Sequence, residues 1–531
     1  MHGRVQLPHA EQLYRVSDFD ACARWQRRTQ HEPGGRCEPL SAGELEASRA
    51  VLSASPRLNR LMARLREGRR GVRIALFGAS VSEQGGCIGE SPAKRCMQHG
   101  KDGWLMRFGS WLEATWPRAE HQLRNYAKDM TSARSFIACL YSLLAADPDL
   151  VILEMCSMAY VQKKKDVETL ARALLALPSA PALLYINICD WCHTRPNGSR
   201  VLLDAYRREG GHHPSDSVES FTGQLAHHYN QSVVSMRAAL SARVHDARLQ
   251  GRCPFRHHRH RIRGVYKVVS PSLPDVGGDG LHPYDGPLAN AHIAAAMANW
   301  LHTATLVTPL TRDHEPAAEP LLPPAVASAR RAAGACLTVG PDRVGHDSGM
   351  AAWSTAHCGG SQSQCDNEPP DEVTLGSCSA ALPTPRVWFH CARWPPGPAA
   401  KESPAAVALS PGATLRVHVI STERISALKA ASSALTQHTL YLEYATSWEG
   451  MGRVEAWCSR GCSCPAGLSI DAHVETKQAD ARISSFKVHK IEQVKLGPSS
   501  APCTLSLRVL PSTSSGGYQF RVRSVSFSRA V

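Results

Sequence analysis

Short apolar runs separated by helical segments are the feature that most constrains the fold of this chain. The runs Val72–Phe77, Asp149–Met155 and Leu183–Ile188 have the length and apolar character of buried strands. Helix-like spacing separates them, at Ser132–Leu144 and Lys165–Leu177. Strands that alternate with helices in this order form a parallel sheet covered by helices on its faces. The sequence therefore predicts a three-layer α/β domain.

Changes in composition divide the 531 residues into four predicted segments. Residues 1–70 carry few strand signals, and the apolar spacing of Leu45–Arg66 predicts a helical lead-in. Residues 71–307 hold the α/β pattern, and the Pro- and Ala-rich stretch 308–335 predicts a linker. In residues 336–531, short alternating strands are separated by Gly, Pro and Ser turns, a pattern that predicts a β-sandwich.

Two loops carry residues with the chemistry of a serine nucleophile and its base. The strand ending at Phe77 leads into Gly78-Ala79-Ser80, a turn that would present Ser80 at the carboxyl edge of the sheet, where α/β folds bind ligands. Far downstream, Asp279 and His282 are three residues apart, so that one loop can present a carboxylate and an imidazole to the same nucleophile. Each motif alone also fits a helix cap or a chance match.

Together these blocks resemble the SGNH (GDSL-like) hydrolase superfamily over Val72–Thr303, with Asn125–Thr131 similar to its second block and Pro148–Glu154 leading into its third. The resemblance implies an ester hydrolase without a metal or other cofactor, acting on an acylated carbohydrate or a lipid ester. Ser80 would be the nucleophile, His282 the general base and Asp279 the residue that orients the imidazole. The backbone N–H groups of Ser80 and Met130 would form the oxyanion hole.

Both middle blocks depart from the family pattern. Met130 stands where the second block usually has a glycine, although a backbone donor survives this change. Met158 and Ala159 stand where the third block usually has Asn and Asp, and methionine cannot donate a hydrogen bond. The alternative hypothesis is therefore a catalytically lapsed SGNH-fold protein that acts as an extracellular glycan-binding or structural module. The sequence also leaves open whether water or another hydroxyl accepts the acyl group.

The charge and cysteine content bear on partners and location. The net charge is +14, but the densest basic run, Arg252–Arg263, has one aromatic residue and no nucleic-acid motif, so a solvated loop is favoured over nucleic-acid binding. No apolar stretch reaches the length of about 18 residues that a membrane span needs. Eighteen cysteines favour an extracellular or secretory-pathway location, whereas the first fifteen residues show no apolar signal-peptide core. Location and oligomeric state stay open.

Several cysteines have two interpretations each. Cys87 and Cys96 bracket the loop after Ser80, where a disulfide would rigidify the rim of the site or serve only a structural role. Disulfides are favoured over zinc at Cys458, Cys462 and Cys464, because their spacing is not that of a zinc finger. Cys189–His193 matches a haem-attachment motif, but a disulfide or a chance match is favoured there, and Cys22 can pair with Cys37.

The carboxyl-terminal segment resembles the β-rich module that follows SGNH domains in some algal and plant proteins. The resemblance rests on Tyr441–Trp448, Glu449–Gly452, Cys458–Cys464 and Phe520–Phe527. A sandwich beside a hydrolase often binds carbohydrate, and an exposed Trp448 or Trp457 would stack on a sugar ring. Packing of both tryptophans inside the sandwich is the favoured interpretation.

Overall fold

A computed structural model describes the part of the chain considered below. It describes residues 7–28, 37–68, 70–83, 103–117, 120–128, 131–144, 148–159, 162–194, 200–202, 207–212, 214–244, 261–262, 265–266, 288–307, 335–338, 353–357, 371–372, 388–394, 401–420, 438–475, 485–497 and 501–529. The chain divides into two compact units, the first made of Met1–Ala133 and Ala146–Ala325 and the second of Arg134–Ala145 and Val326–Val531. Nearly all of the predicted linker, residues 308–334, lies outside the described residues. Among the described helices, none has the length and apolar character needed to cross a membrane.

A parallel sheet forms the centre of the first unit, as the sequence predicts. The strands of the first unit are β1 (Arg73–Phe77), β2 (Gln122–Asn125), β3 (Leu150–Leu153), β4 (Ala182–Asn187), β5 (Cys192–Thr194), β6 (Arg200–Leu202), β7 (Ser232–Ser235), β8 (Arg261–Ile262) and β9 (Val265–Tyr266). Five of them form the parallel sheet in the order β2-β1-β3-β4-β7, and β5–β6 and β8–β9 form two small antiparallel pairs. The strand order reverses between β1 and β3, and such a switch point leaves a crevice at the carboxyl ends of the two strands.

Helices separate these strands along the chain, and the one at Ala133–Leu143 belongs, apart from its first residue, to the second unit. They are α1 (Val16–Arg28), α2 (Ala42–Ser48), α3 (Pro56–Glu67), α4 (Ser80–Glu83), α5 (Trp104–Thr115), α6 (Ala133–Leu143), α7 (Lys164–Leu175), α8 (Pro214–His228), α9 (Met236–Val244) and α10 (Ala289–Val307). Within the first unit, α10 packs against α5 and α2 packs against α9. The apolar core includes the fully buried Leu76, Trp104, Trp111, Ile152, Leu184 and Trp300.

The helical spacing noted over Leu45–Arg66 corresponds to two helices, α2 and α3, with a non-helical segment between them. The chain leaves α2 and is extended at Val51, which pairs with Val233. It re-enters a helix only at α3, where Ser55 is the N-cap and Pro56 occupies the first turn. Proline fits the first turn of a helix but disrupts a helix interior, which explains why the helix divides at this point.

Polar and covalent contacts attach the lead-in to the rest of the first unit. The Arg107 guanidinium on α5 donates to both carboxylate oxygens of Asp18 on α1, at 2.6 and 2.9 Å, and both side chains are buried. A disulfide joins Cys22 to Cys37. The charged pair and the disulfide both restrain α1, so the lead-in is an integral part of the described fold.

The second unit is a pair of antiparallel sheets, as predicted for the carboxyl-terminal segment. Its strands are β10 (Ala335–Thr338), β11 (Trp353–His357), β12 (Asp371–Glu372), β13 (Phe389–Trp394), β14 (Lys401–Ala408), β15 (Ala413–Ile420), β16 (His438–Thr446), β17 (Arg453–Arg460), β18 (Cys462–Ser463), β19 (Leu468–Asp471), β20 (Ser485–Leu496), β21 (Cys503–Val509) and β22 (Phe520–Arg529). One sheet has the order β13-β14-β22-β16-β20-β18 with β10 also paired to β22, and the other has the order β12-β11-β15-β21-β17-β19. Contacts of β15 with β10 and β22 join the two sheets.

Two disulfides and a buried tryptophan lie at one end of the second sheet. Cys458 bonds to Cys464, and Cys462 bonds to Cys503, so these sulfurs are linked to one another rather than to zinc. Trp457 is buried, with the Arg508 guanidinium 5.8 Å from its ring centroid, whereas Trp448 is half-buried. The packing interpretation therefore holds for Trp457, which has no exposed face for a sugar.

Candidate active site

The turn that carries Ser80 lies directly after β1, at the switch point of the sheet. Ser80 is half-buried and is the first residue of the short helix α4. The backbone N–H groups of Ser82 and Glu83 both donate to the Ala79 oxygen, at 3.0 and 2.8 Å, and these bonds close the turn. The turn thus holds Ser80 where a parallel sheet places its ligands.

Gly78 lets this turn pass close to its neighbours. A Cβ atom at this position would lie 2.8 Å from both Cβ and Oγ of Ser82 and 3.1 Å from Cβ of Glu154. The Gly78 carbonyl accepts a hydrogen bond from the Lys128 backbone N–H at 3.0 Å. A side chain here would displace either the turn or the residues that follow β3, so glycine is needed for close packing.

Asn125, the last residue of β2, holds the turn from one side. Its Nδ2 donates to the backbone oxygens of Ser82 at 2.7 Å and Glu83 at 3.3 Å. Its Oδ1 accepts the backbone N–H of Ala127 at 2.9 Å, which fixes the orientation of the amide. One side chain therefore links the end of β2 to the end of the nucleophile turn.

Glu154, the first residue after β3, holds the turn from the other side. Its Oε2 accepts hydrogen bonds from the Ala79 backbone N–H at 3.4 Å and from the Ser82 hydroxyl at 3.2 Å. Ser157 donates from its backbone N–H to Oε1 at 3.0 Å and from its hydroxyl to Oε2 at 2.8 Å. The Glu154 side chain is fully buried. Burial raises the pKa of Glu154, and the hydrogen bonds from Ser157, Ala79 and Ser82 oppose this rise.

The segment after Glu154 contains the main departure from the family pattern. Met158 ends a short 3₁₀ helix, Cys156–Met158, and its side chain is buried. Its thioether offers no hydrogen-bond donor. A disulfide joins Cys156 to Cys189 and thereby ties the carboxyl ends of β3 and β4 together. The amide nearest in sequence, Gln162, accepts the Ala133 N–H at 3.0 Å and donates to the Met155 sulfur at 3.7 Å.

The remaining predicted site residues lie outside the described residues: Cys87, Cys96, Met130, Asp279 and His282. The predicted nucleophile is thus described with the turn that carries it, and the predicted base and its orienting carboxylate stay predictions. Cys189 and Cys192 are both disulfide-bonded, Cys189 with Cys156, so neither thiol is available to attach haem. Among the described residues, no group of three His, Cys, Asp or Glu side chains is placed to hold a metal ion.

Three residues of the site, Ser82, Glu154 and Ser157, had no assigned role in the sequence-based prediction. Glu154 carried a usable signal, because a charged residue that directly follows the apolar strand Leu150–Leu153 must lie at the carboxyl edge of the sheet. The hydroxyls of Ser82 and Ser157 carried none, because serines at helix and loop ends are common and their partners depend on packing.

Comparisons with known proteins found similarity to solved structures of esterases at low sequence identity. No family model matches the chain, and no curated protein matches it. A solved structure of a two-domain esterase active on acetylated mannans is similar, with a TM-score of 0.48 and 15% identity over 92% of this chain and 98% of that chain. A variant of an acetyl xylan esterase from Geobacillus stearothermophilus has a TM-score of 0.28 and 15% identity over 44% of this chain and 95% of that chain. The psychrotrophic esterase EstA from Pseudoalteromonas sp. has a TM-score of 0.28 and 14% identity over 44% of this chain and 97% of that chain.

Proposed function

We propose that this protein is a serine esterase with Ser80 as its nucleophile. The observation that carries the proposal is the position of Ser80 on a tight turn after β1, at the switch point of a parallel sheet. Strand ends on both sides hold this turn, through Asn125 and Glu154. A serine that served only as a helix cap would not need support from two neighbouring strands.

In the proposed reaction, Ser80 Oγ attacks the carbonyl carbon of an ester while His282 accepts the hydroxyl proton. Asp279 holds the imidazole in the tautomer that accepts this proton. Collapse of the tetrahedral intermediate breaks the bond to the alcohol oxygen, which leaves with the proton from His282 and gives an acyl-enzyme. A water molecule, deprotonated by His282, then releases the carboxylic acid and restores the Ser80 hydroxyl.

The oxyanion of this intermediate needs hydrogen-bond donors. The backbone N–H groups of Ser80 and Met130 are the proposed donors, and Met158 supplies none. Loss of one oxyanion-hole donor lowers kcat by about 10²- to 10³-fold in serine hydrolases. We therefore expect slow turnover of simple activated esters.

The proposed substrate is an acylated carbohydrate or a lipid ester, the classes that the family resemblance implies. Acetylated mannan and acetylated xylan are the polymers to assay first, beside a short-chain lipid ester. Acetate release from a polysaccharide would assign the carbohydrate class, and fatty-acid release would assign the lipid class.

The proposal is tested by hydrolysis of p-nitrophenyl acetate and by labelling with a fluorophosphonate probe. Wild-type protein is compared with Ser80→Ala and with Ser110→Ala, a matched control on α5 whose hydroxyl donates to the Met106 carbonyl at 3.1 Å. We expect turnover and labelling in wild type and Ser110→Ala and neither in Ser80→Ala. Absence of both signals from folded wild-type protein would contradict the esterase proposal and favour the lapsed glycan-binding module.

A further inference from the structure

The proposed reaction assigns no proton transfer to the buried Glu154 carboxylate, yet this carboxylate contacts the turn that carries Ser80. It receives four hydrogen bonds, two from backbone N–H groups and two from hydroxyls. Within the described residues, Glu154 has no ion-pair partner. A fully buried carboxylate without a cation is costly, so the hydrogen bonds must account for its presence.

The contacts bracket the nucleophile. Ala79 directly precedes Ser80, and Ser82 follows it by two residues, and both donate to the same oxygen, Oε2. Ser157, in the segment after β3, anchors the same carboxylate. Its backbone N–H donates to Oε1 and its hydroxyl donates to Oε2. The position of Ser80 relative to β3 is therefore fixed through Glu154.

The donor set favours glutamate over glutamine at this position. The two backbone N–H groups, from Ala79 and Ser157, point to different oxygens of the carboxylate. Hydroxyls can rotate to donate or accept, but a backbone N–H can only donate. A glutamine has one oxygen and one NH₂ group, so in either orientation its NH₂ would face one of these N–H groups.

We propose that Glu154 is a positioning residue for the Ser80 nucleophile and acts by holding the turn from Ala79 to Ser82 against the end of β3. This inference rests on the proposed esterase function, because it assigns a role within that reaction. A positioning role predicts a loss in the chemical step rather than in substrate binding. A displacement of about 1 Å at a nucleophile costs on the order of 10²-fold in rate.

The test compares Glu154→Gln with Glu168→Gln, a matched control. Glu168 is a second buried glutamate of the first unit, on α7, and accepts the Tyr229 hydroxyl at 2.6 Å. We expect Glu154→Gln to lower kcat for p-nitrophenyl acetate and the rate of fluorophosphonate labelling by about 10- to 100-fold, with KM changed by less than about threefold. Glu168→Gln is expected to keep both rates.

A double-mutant cycle with Ser82→Ala tests whether Glu154 acts through the turn. Ser82→Ala removes one of the two bonds from the turn to Oε2 and is expected to lower kcat by about tenfold. In the Glu154→Gln background, the same substitution should lower kcat by less than about threefold, because the two residues act as one unit. Ser82→Ala also tests the contact on its own if Glu154→Gln yields no folded protein.

The outcomes separate the two proposals. Wild-type protein that neither turns over nor labels overturns the esterase function itself. If the wild-type protein is labelled but Glu154→Gln keeps the wild-type kcat, the positioning role is overturned and the esterase function stands. The same holds if the effects of Glu154→Gln and Ser82→Ala on kcat multiply independently. A fall of kcat in Glu168→Gln equal to that in Glu154→Gln would likewise overturn the positioning role, because any buried glutamate would then have the same effect.

Discussion

The Asn125 side chain donates a hydrogen bond to the backbone oxygen of Ser82 at 2.7 Å, across the boundary between β2 and the nucleophile turn. Asn125 is exposed, whereas the Ser82 side chain is fully buried. The amide therefore supports the outer side of a turn whose inner side rests on Glu154. Two side chains, one at the end of β2 and one directly after β3, thus restrain one short segment.

Replacement of Asn125 by aspartate should lower activity without unfolding the protein. Aspartate keeps the acceptor for the Ala127 N–H but places a carboxylate oxygen against the Ser82 carbonyl, where two acceptors repel each other. We expect kcat for p-nitrophenyl acetate to fall by about 10-fold or more. Gln122→Glu, the same amide-to-acid change at an exposed position of β2, is the control and should keep wild-type kcat. Equal kcat values for the two variants would contradict the supporting role of Asn125.

Gly78→Ala should have a larger effect on activity than on the fold. Its Cβ would lie 2.8 Å from the Ser82 side chain and 3.1 Å from Glu154 Cβ, so the turn must move by several tenths of an ångström. We expect kcat to fall on the order of 10²-fold. Gly223→Ala is the control, because Gly223 lies in α8 and a Cβ there meets nothing within 4 Å. That change should keep activity and stabilise the helix by up to about 1 kcal/mol. Wild-type kcat in Gly78→Ala would show that the turn tolerates displacement.

The parallel sheet was predictable where its strands are apolar on both faces, and not elsewhere. Leu150–Leu153 is buried at every position, and such a run stands out in the sequence. β2 has exposed polar residues, Gln122, Arg124 and Asn125, and lies at the edge of the sheet, so no apolar run marks it. β7 begins and ends with serine, and its burial follows from its place in the sheet.

The position of the nucleophile turn was predictable from the sequence, but the contacts that support it were not. A strand that ends in Gly78-Ala79-Ser80 indicates where a serine would be exposed. The contact of Ser80's turn with Glu154 depends on the parallel pairing of β1 with β3, which brings segments about 75 residues apart in sequence together. Disulfide connectivity likewise follows from the folded chain, and nothing in the spacing of Cys156 and Cys189 marks them as partners.

Loss of the Cys156–Cys189 disulfide should destabilise the first unit more than loss of Cys458–Cys464 destabilises the second. The first closes a sequence separation of 33 residues and the second one of 6. On loop-closure entropy, these correspond to about 4 and about 2 kcal/mol. Cys156 and Cys189 are also buried, so their removal adds a packing loss.

The paired variants Cys156→Ala/Cys189→Ala and Cys458→Ala/Cys464→Ala test this order. Hydrogen exchange along a urea series reports the free energy of unfolding of each unit separately, because peptides from the two units are resolved by mass. Equal losses in the two variants would show that loop length does not determine these contributions.

The ion pair between Glu44 and Arg243 should make the contact between α2 and α9 sensitive to acid. The Arg243 guanidinium donates to both oxygens of Glu44, at 2.6 and 2.7 Å. Burial alone would raise the pKa of Glu44, but the hydrogen bond and the positive charge of Arg243, together with Ser41, lower it to about 2. The folded-state pKa lies below the unfolded value of 4.5, so the stabilisation is present above pH 4.5 and is lost as the pH falls towards 2.

The Glu44→Gln variant removes the charge of this pair together with one of the two hydrogen bonds from Arg243. Glutamine at the third position of α2 can still accept the Ser41 N–H through its Oε1, so the capping box is retained, whereas its NH₂ group replaces the oxygen that accepts from Arg243 Nε. We expect Glu44→Gln to lower the free energy of local opening of α2 by about 1 to 2 kcal/mol at pH 7, after allowance for solvent screening. Hydrogen exchange of α2 and α9 peptides, corrected for intrinsic rates, measures this difference. The difference between the variant and the wild type should shrink towards zero near pH 2.5. At this pH the opened state of wild-type α2 takes up a proton on Glu44, which offsets most of the stabilisation from the charge. Glu46→Gln, an exposed change on the same helix, is the control and should have no comparable effect at either pH. If the effect of Glu44→Gln on the free energy of opening persisted undiminished in acid, the charge would be excluded as its cause.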